Sequence, residues 1–170
     1  MRVLVTGSAG FIGSHIVDKL IDDGVETVGI DNFLNGKREN INSRCEFHEG
    51  DIVDIQTCRQ VCDGVDVILH QAAVGSVPMS IRYPQRTFDN NVMGTHNILL
   101  SALEKGVKKV VVVSSASFYG NVDGDLTKFE NREASPENPY ACSKVFCDFY
   151  GRVFDKVFER IEVCTFRYFN

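Results

Sequence analysis

Apolar residues in this chain follow two rhythms that alternate along its length. Short continuous runs predict six strands: residues 2–6 (RVLVT), 26–31 (ETVGID), 45–51 (CEFHEGD), 66–73 (DVILHQAA), 107–116 (VKKVVVVSSA) and 161–169 (IEVCTFRYF). Between them, residues 12–23 repeat apolar positions at helical spacing, and 54–62 form a shorter helical segment. A long helical pattern over 84–105 carries Val92, Ile98, Leu99, Ala102 and Leu103, and another runs over 139–159. Gly24 and Gly106 are expected helix stops, while Asn138 followed by Pro139 reads as an N-cap and first helical residue. Residues 31–40 and 120–138 keep neither rhythm and are expected to be loops.

Strands that alternate with helices, and that are apolar throughout rather than at every second position, are strands buried on both faces. The predicted class is therefore α/β, a doubly wound parallel sheet with strand order 3-2-1-4-5-6. With 170 residues the chain is long enough for one domain with a sizeable core. A net charge of −5 removes the basic footprint that nucleic acid requires, so no nucleic-acid partner is expected. No apolar run approaches the roughly 20 residues of a membrane span, and the glycines break the N-terminal apolar stretch before it resembles a signal peptide. The six cysteines form no Cys-x-x-Cys pair, so no zinc spacing and no metal site is predicted; free thiols in a reducing cytoplasm are expected.

Candidate chemistry begins with VTGSAGFIGSH, where Gly7, Gly10 and Gly13 fall between the first strand and the first helix. Glycine there costs roughly 0.5–1 kcal/mol each relative to alanine, so the missing side chains need a reason. A tight strand-to-helix turn, close approach of a diphosphate and close helix–strand packing each supply one. The helix N-terminus adds free N–H groups and partial positive charge. A glycine triplet alone is also compatible with a plain turn, but Asp31 lies 18 residues past Gly13 at the end of the second strand. A carboxylate there accepts from a ribose 2′-OH and repels a 2′-phosphate, which favours NAD over NADP. Asp51, after the third strand, reads either as a contact to the adenine end or as a helix cap. Tyr140 and Lys144 share a helical face, where an ammonium favours the phenolate of a base whose reference pKa is about 10.

The chain resembles the extended short-chain dehydrogenase/reductases, the NAD-dependent epimerase/dehydratase family of nucleotide-sugar enzymes with a Rossmann fold. The resemblance rests on TGSAGFIGSH (6–15), DN (31–32), GDI (50–52), HQAA (70–73), DNNVMGTHNIL (89–99), SSASFYG (114–120), PYACSK (139–144) and RYFN (167–170). It implies a cofactor site in which Gly7, Gly10, Phe11, Ile12 and Gly13 line the pyrophosphate and Asp31 and Asn32 meet the adenosine ribose. Asp51 and Ile52 would flank adenine; Ala72, Ala73, Asn91, Ser114 and Tyr168 would border the cofactor. It also implies a catalytic set of Ser115, Tyr140 and Lys144, with Lys144 holding the nicotinamide ribose. Substrate contacts would come from Ser76, Ser115, Ser117, Tyr140 and Asn170. For Ser76, Ser80 and Arg82 a solvated loop and helix start is an equal reading.

Ala116 and Ser117 stand where dehydratases of this family carry acidic residues, so the resemblance implies 4-epimerization of a UDP-hexose or UDP-N-acetylhexosamine. Met79 departs from the basic residue often found in the epimerases. A keto-sugar reductase, a dehydratase and a noncatalytic NAD-binding domain are the alternatives. Family members continue past RYFN into a substrate domain, so the chain is expected to be an amino-terminal portion of impaired activity. The family also implies a homodimer through the helices near 84–105 and 139–159. Ile98, Ala102, Val145 and Phe149 would serve either that interface or the helix core.

Overall fold

The computed structural model describes residues 1–121 and 127–169. Six parallel strands form one sheet: β1 (Arg2–Thr6), β2 (Glu26–Asp31), β3 (Glu46–Glu49), β4 (Val67–His70), β5 (Lys109–Ser115) and β6 (Glu162–Tyr168). Their order is β3-β2-β1-β4-β5-β6, as the pattern predicted. In register, Val5 lies between Gly29 of β2 and Leu69 of β4, which places Gly7 just beyond the sheet's carboxyl edge. The order reverses at β1/β4, and the crevice beyond such a switch point is where doubly wound sheets bind ligands.

The helices are α1 (Phe11–Asp22), α2 (Ile55–Val61), α3 (Val77–Arg82), α4 (Pro84–Thr87), α5 (Gly94–Lys105) and α6 (Pro139–Val157), with short 3₁₀ turns at Arg38–Asn40 and Ala116–Tyr119. Gly24 and Gly106 end their helices with φ of 75° and 74°. Asn138 caps α6 as expected, its side chain accepting from the Ala141 N–H at 2.9 Å. The core joins Leu4, Ile30, Ile68 and Val110 of the sheet to Ile98 and Leu99 of α5 and to Phe154 of α6.

Two elements differ from the sequence pattern. The predicted helix over 84–105 is interrupted by a π-helical turn at Phe88–Met93, in which the Gly94 N–H reaches back five residues to the Asp89 carbonyl. Residues 77–82 form a helix of their own, with Ser76 as N-cap accepting from the Met79 N–H. Ile98 and Ala102 are fully buried in the core, so the alternative of a subunit interface does not apply to them, whereas Phe149 is 49% exposed.

One buried ion pair ties the last strand to the loops above it. Asp148 of α6 has no exposed side-chain surface and accepts from Arg167 of β6 at 2.7 and 3.2 Å. The same guanidinium donates to the Tyr119 hydroxyl and the Glu130 carbonyl, and lies 3.6 Å from the centroid of the Phe118 ring. Removing two charges from water is costly, and four hydrogen bonds plus an aromatic face offset that cost here.

Candidate active site

Backbone geometry explains the glycines at the end of β1. Gly7 has φ +68°, and a Cβ on it would sit 2.9 Å from Ala72 Cα, at the end of β4. A Cβ at Gly13 would overlap the Gly7 carbonyl oxygen, so α1 can start this close to the turn only with hydrogen there. The Gly7 and Ser8 N–H groups both donate to the Ile30 carbonyl, which pins the turn to β2. The N-cap of α1, Gly10, has no side-chain capping bond, so the helix start faces a bare concavity of the type that receives anions.

A cleft of about 470 Å³ opens at this point. It brings together Gly7, Gly10, Phe11, Ile12, Gly13, Asp31, Asn32, Ile52, Ala72, Ala73 and Ser76 among the residues expected at the site. Asp31 is buried, and its carboxylate accepts from the Ala9 N–H at 3.0 Å and from the Phe33 N–H at 2.8 Å. Those bonds fix its direction and leave a lone pair on each oxygen for a ligand. Asp51 does not line the cleft. It accepts from the Asn32 amide at 2.9 Å and from the Val53 N–H, so it orients Asn32; Asp54, not Asp51, caps α2.

Beneath the cleft runs a buried chain of hydrogen bonds that the sequence pattern does not announce. The Thr95 hydroxyl donates to the Asn91 carbonyl at 2.6 Å, within the π-helical turn. Its proton is committed, so at 3.0 Å it accepts from His70 Nε2–H. Nδ1 is then the acceptor for the Thr6 hydroxyl at 2.7 Å, and Thr6 in turn accepts from the Ala72 N–H at 3.1 Å. Burial, aided by the Lys144 ammonium, pushes the His70 imidazole down to about 3, so it stays neutral and keeps this tautomer. Asn91 continues the chain. Its side chain bonds both backbone groups of Val74 and donates to Ser143 Oγ, which donates to the Tyr140 carbonyl. The floor of the cleft and the first turn of α6 are thus one hydrogen-bonded unit. Asn91 acts inside it rather than on the cleft wall.

Tyr140 is half-buried on the first turn of α6, and its hydroxyl enters no hydrogen bond among the described residues. Lys144, one turn on, is buried and donates from Nζ to the Val113 carbonyl at 2.9 Å. Ser114 Oγ donates to the Lys144 carbonyl, which docks α6 on the end of β5. Ser115 Oγ accepts from the Ser117 N–H at 3.2 Å, leaving its own proton to give. The Ser117 hydroxyl is buried without a partner among the described residues. Tyr168, at the end of β6, is 37% exposed and apart from the cleft lining, and Asn170 lies outside the described residues. Sequence reasoning missed Leu34, Asn35 and Gly36, which close over Asp31. A Cβ at Gly36 would meet Asp31 Oδ1 at 2.8 Å, a contact no spacing rule reveals.

The family model for the NAD dependent epimerase/dehydratase family matches residues 3–170. The chain belongs to this family. A putative UDP-glucose 4-epimerase of Methanocaldococcus jannaschii is 37% identical over 99% of the chain and 55% of the relative. The solved UDP-glucose 4-epimerase of Thermus thermophilus in complex with NAD superposes with a TM-score of 0.93 at 35% identity, covering 99% of this chain and 55% of that one. UDP-N-acetylglucosamine 4-epimerase from Methanobrevibacter ruminantium M1, in complex with UDP-N-acetylmuramic acid, gives 0.91 at 35% identity, with the same coverage. The chain therefore spans about half the length of the relatives it matches. NAD is the family's cofactor, and the residues present fit it: a cradle that Cβ atoms at Gly7 and Gly13 would fill, and a fixed carboxylate at Asp31. Among the described residues, no helix is long and apolar enough to cross a membrane.

Proposed function

We propose that this chain supplies the NAD-binding and proton-transferring part of a nucleotide-sugar 4-epimerase acting on a UDP-hexose or UDP-N-acetylhexosamine. The observation that supports this reading is the docking of the start of α6, which carries Tyr140 and Lys144, on the end of β5, which carries Ser115, through Ser114 Oγ to the Lys144 carbonyl and Lys144 Nζ to the Val113 carbonyl. Gly7, Gly10 and Gly13 would hold the diphosphate of the cofactor and Asp31 its adenosine ribose. When bound, NAD supplies a two-electron acceptor and donor for one carbon of the sugar. Tyr140 takes the proton of the sugar hydroxyl and returns it after the ring has turned over. Ser115, with its proton free, relays between the hydroxyl and the phenol oxygen. Lys144, fixed by its bond to the Val113 carbonyl, would hold the nicotinamide ribose. Two-electron return to the same carbon leaves no net redox change, and the absence of acidic side chains at Ala116 and Ser117 leaves elimination without a base there.

The test begins with NAD binding by calorimetry, then follows interconversion of UDP-glucose with UDP-galactose and of the N-acetylated pair. Tyr140→Phe is expected to abolish turnover while NAD affinity stays within twofold. Absence of NAD binding, or stoichiometric release of NADH, would overturn the reading. We further infer pairing of two copies through α6, where Phe149, Val153 and Val157 recur at four-residue intervals and are each about half exposed. Sedimentation showing only monomer at micromolar concentration would exclude it.

A further inference from the structure

A second, smaller cavity of about 160 Å³ adjoins the cleft and shares Leu34, Asn35 and Ser76 with it. Its remaining wall comes from Val74 and from α3 and α4 with the residue between them: Met79, Tyr83, Arg86 and Thr87. Among the described residues no carboxylate lines it, and Arg86 is its only charged group. Arg86 enters no ion pair among the described residues; its neighbour Asp89 is engaged by the Gln85 amide instead. Thr87 is 1% exposed, and its hydroxyl has no hydrogen-bond partner among the described residues. A buried hydroxyl left unpaired costs free energy, and such a group in a cavity wall points to a ligand that pairs with it.

We propose that this side chamber is a second oxyanion subsite, taking a phosphoryl group of a molecule whose remainder lies in the cleft. The chemistry is one-sided. A guanidinium, the Thr87 and Tyr83 hydroxyls and the Asn35 amide can all donate, and no fixed negative charge competes. Arg86, Tyr83 and Asn35 stand at the exposed rim, while the buried Thr87 hydroxyl lies deeper beside Val74, where a bond to an anion is least screened. The glycine turn already presents α1 to one diphosphate, so the chamber serves either a second phosphoryl oxygen of the dinucleotide or the diphosphate of a nucleotide sugar. The proposal rests on the cleft holding a dinucleotide.

Calorimetry on the 170-residue chain separates the sources. NAD is titrated alone, UDP-glucose with NAD saturating, and inorganic pyrophosphate alone, for the wild type, Arg86→Met, Arg86→Lys and Thr87→Val. Loss of a charge-assisted bond is expected to weaken one of the two nucleotides about tenfold in Arg86→Met. Arg86→Lys recovers most of that loss, and Thr87→Val loses a smaller factor. Weakened NAD assigns the chamber to the cofactor, and weakened UDP-glucose alone assigns it to the substrate. Unchanged affinities for both nucleotides, within twofold in variants that melt like the wild type, would overturn the proposal and leave the cofactor reading standing. Pyrophosphate binding that depends on Arg86 without any NAD binding would overturn the cofactor reading and, with it, the proposal of a ligand shared between chamber and cleft. Binding of none of the three probes to the wild type would remove both.

Discussion

His70 makes the stability of this protein depend on pH in a range where its carboxylates do not. A histidine in the unfolded chain titrates near 6.5, and in the fold burial first, then the Lys144 charge, lowers it to about 3. Above pH 6.5 both states hold a neutral ring and the buried network contributes in full. Between 6.5 and 3 the unfolded chain binds a proton that the folded chain refuses, so stability falls as pH falls. One proton corresponds to about 1.36 kcal/mol per pH unit. From pH 7 to pH 5 the loss is then about 2 kcal/mol, a figure that holds for any folded value below about 4. The matched perturbation is His70→Gln, whose amide offers an oxygen to the Thr6 hydroxyl and an N–H to Thr95 Oγ1 without binding a proton. Urea unfolding of both proteins at pH 7 and pH 5 measures the difference of differences. His15, His48 and His96 are common to both and cancel. The wild type is expected to lose about 2 kcal/mol more than the variant. Equal losses, or an imidazole resonance of His70 that titrates near 6.5 in the folded protein, would refute the reasoning.

Three further perturbations have defined outcomes. Gly13→Ala drives a methyl into the Gly7 carbonyl, which predicts about 1–3 kcal/mol of destabilisation by melting and at least a tenfold loss of NAD affinity by calorimetry. Asp31→Asn places an amide N–H against one of the two backbone donors, Ala9 or Phe33; a loss of about 1–3 kcal/mol in urea is expected. Asp148→Ala strands the Arg167 guanidinium in a buried site and should cost about 3–5 kcal/mol, read by chemical denaturation at neutral pH.

Much of the fold was legible because its determinants are local. Val110 to Val113 can only be a strand buried on both faces, and Gly24 and Gly106 stop helices where the left-handed conformation is required. The glycine turn and Asp31 were legible for the same reason: each answers a geometric demand stated within about thirty residues. What escaped depends on residues far apart. Thr6, His70 and Thr95 are separated by 64 and 25 positions, and nothing in the HQAA stretch says that its histidine is a neutral bridge rather than a titrating group. The helix-cap reading of Asp51 failed because its side chain turns to Asn32 in another loop, leaving the cap of α2 to Asp54. Helix α3 escaped because six residues are too few to show a period.

The π-helical turn has a mechanical consequence. An ordinary helix advances about 100° per residue, so the one extra residue it holds sets the face carrying Arg86 and Thr87 out of phase with the face carrying Asn91 and Thr95. The side chamber and the polar floor of the cleft are walls of two different rooms built on one rod, and that single surplus residue is the joint which lets the rod serve both. Excising Asn90 would straighten the rod and swing the upstream wall by about 100°, closing one room to keep the other.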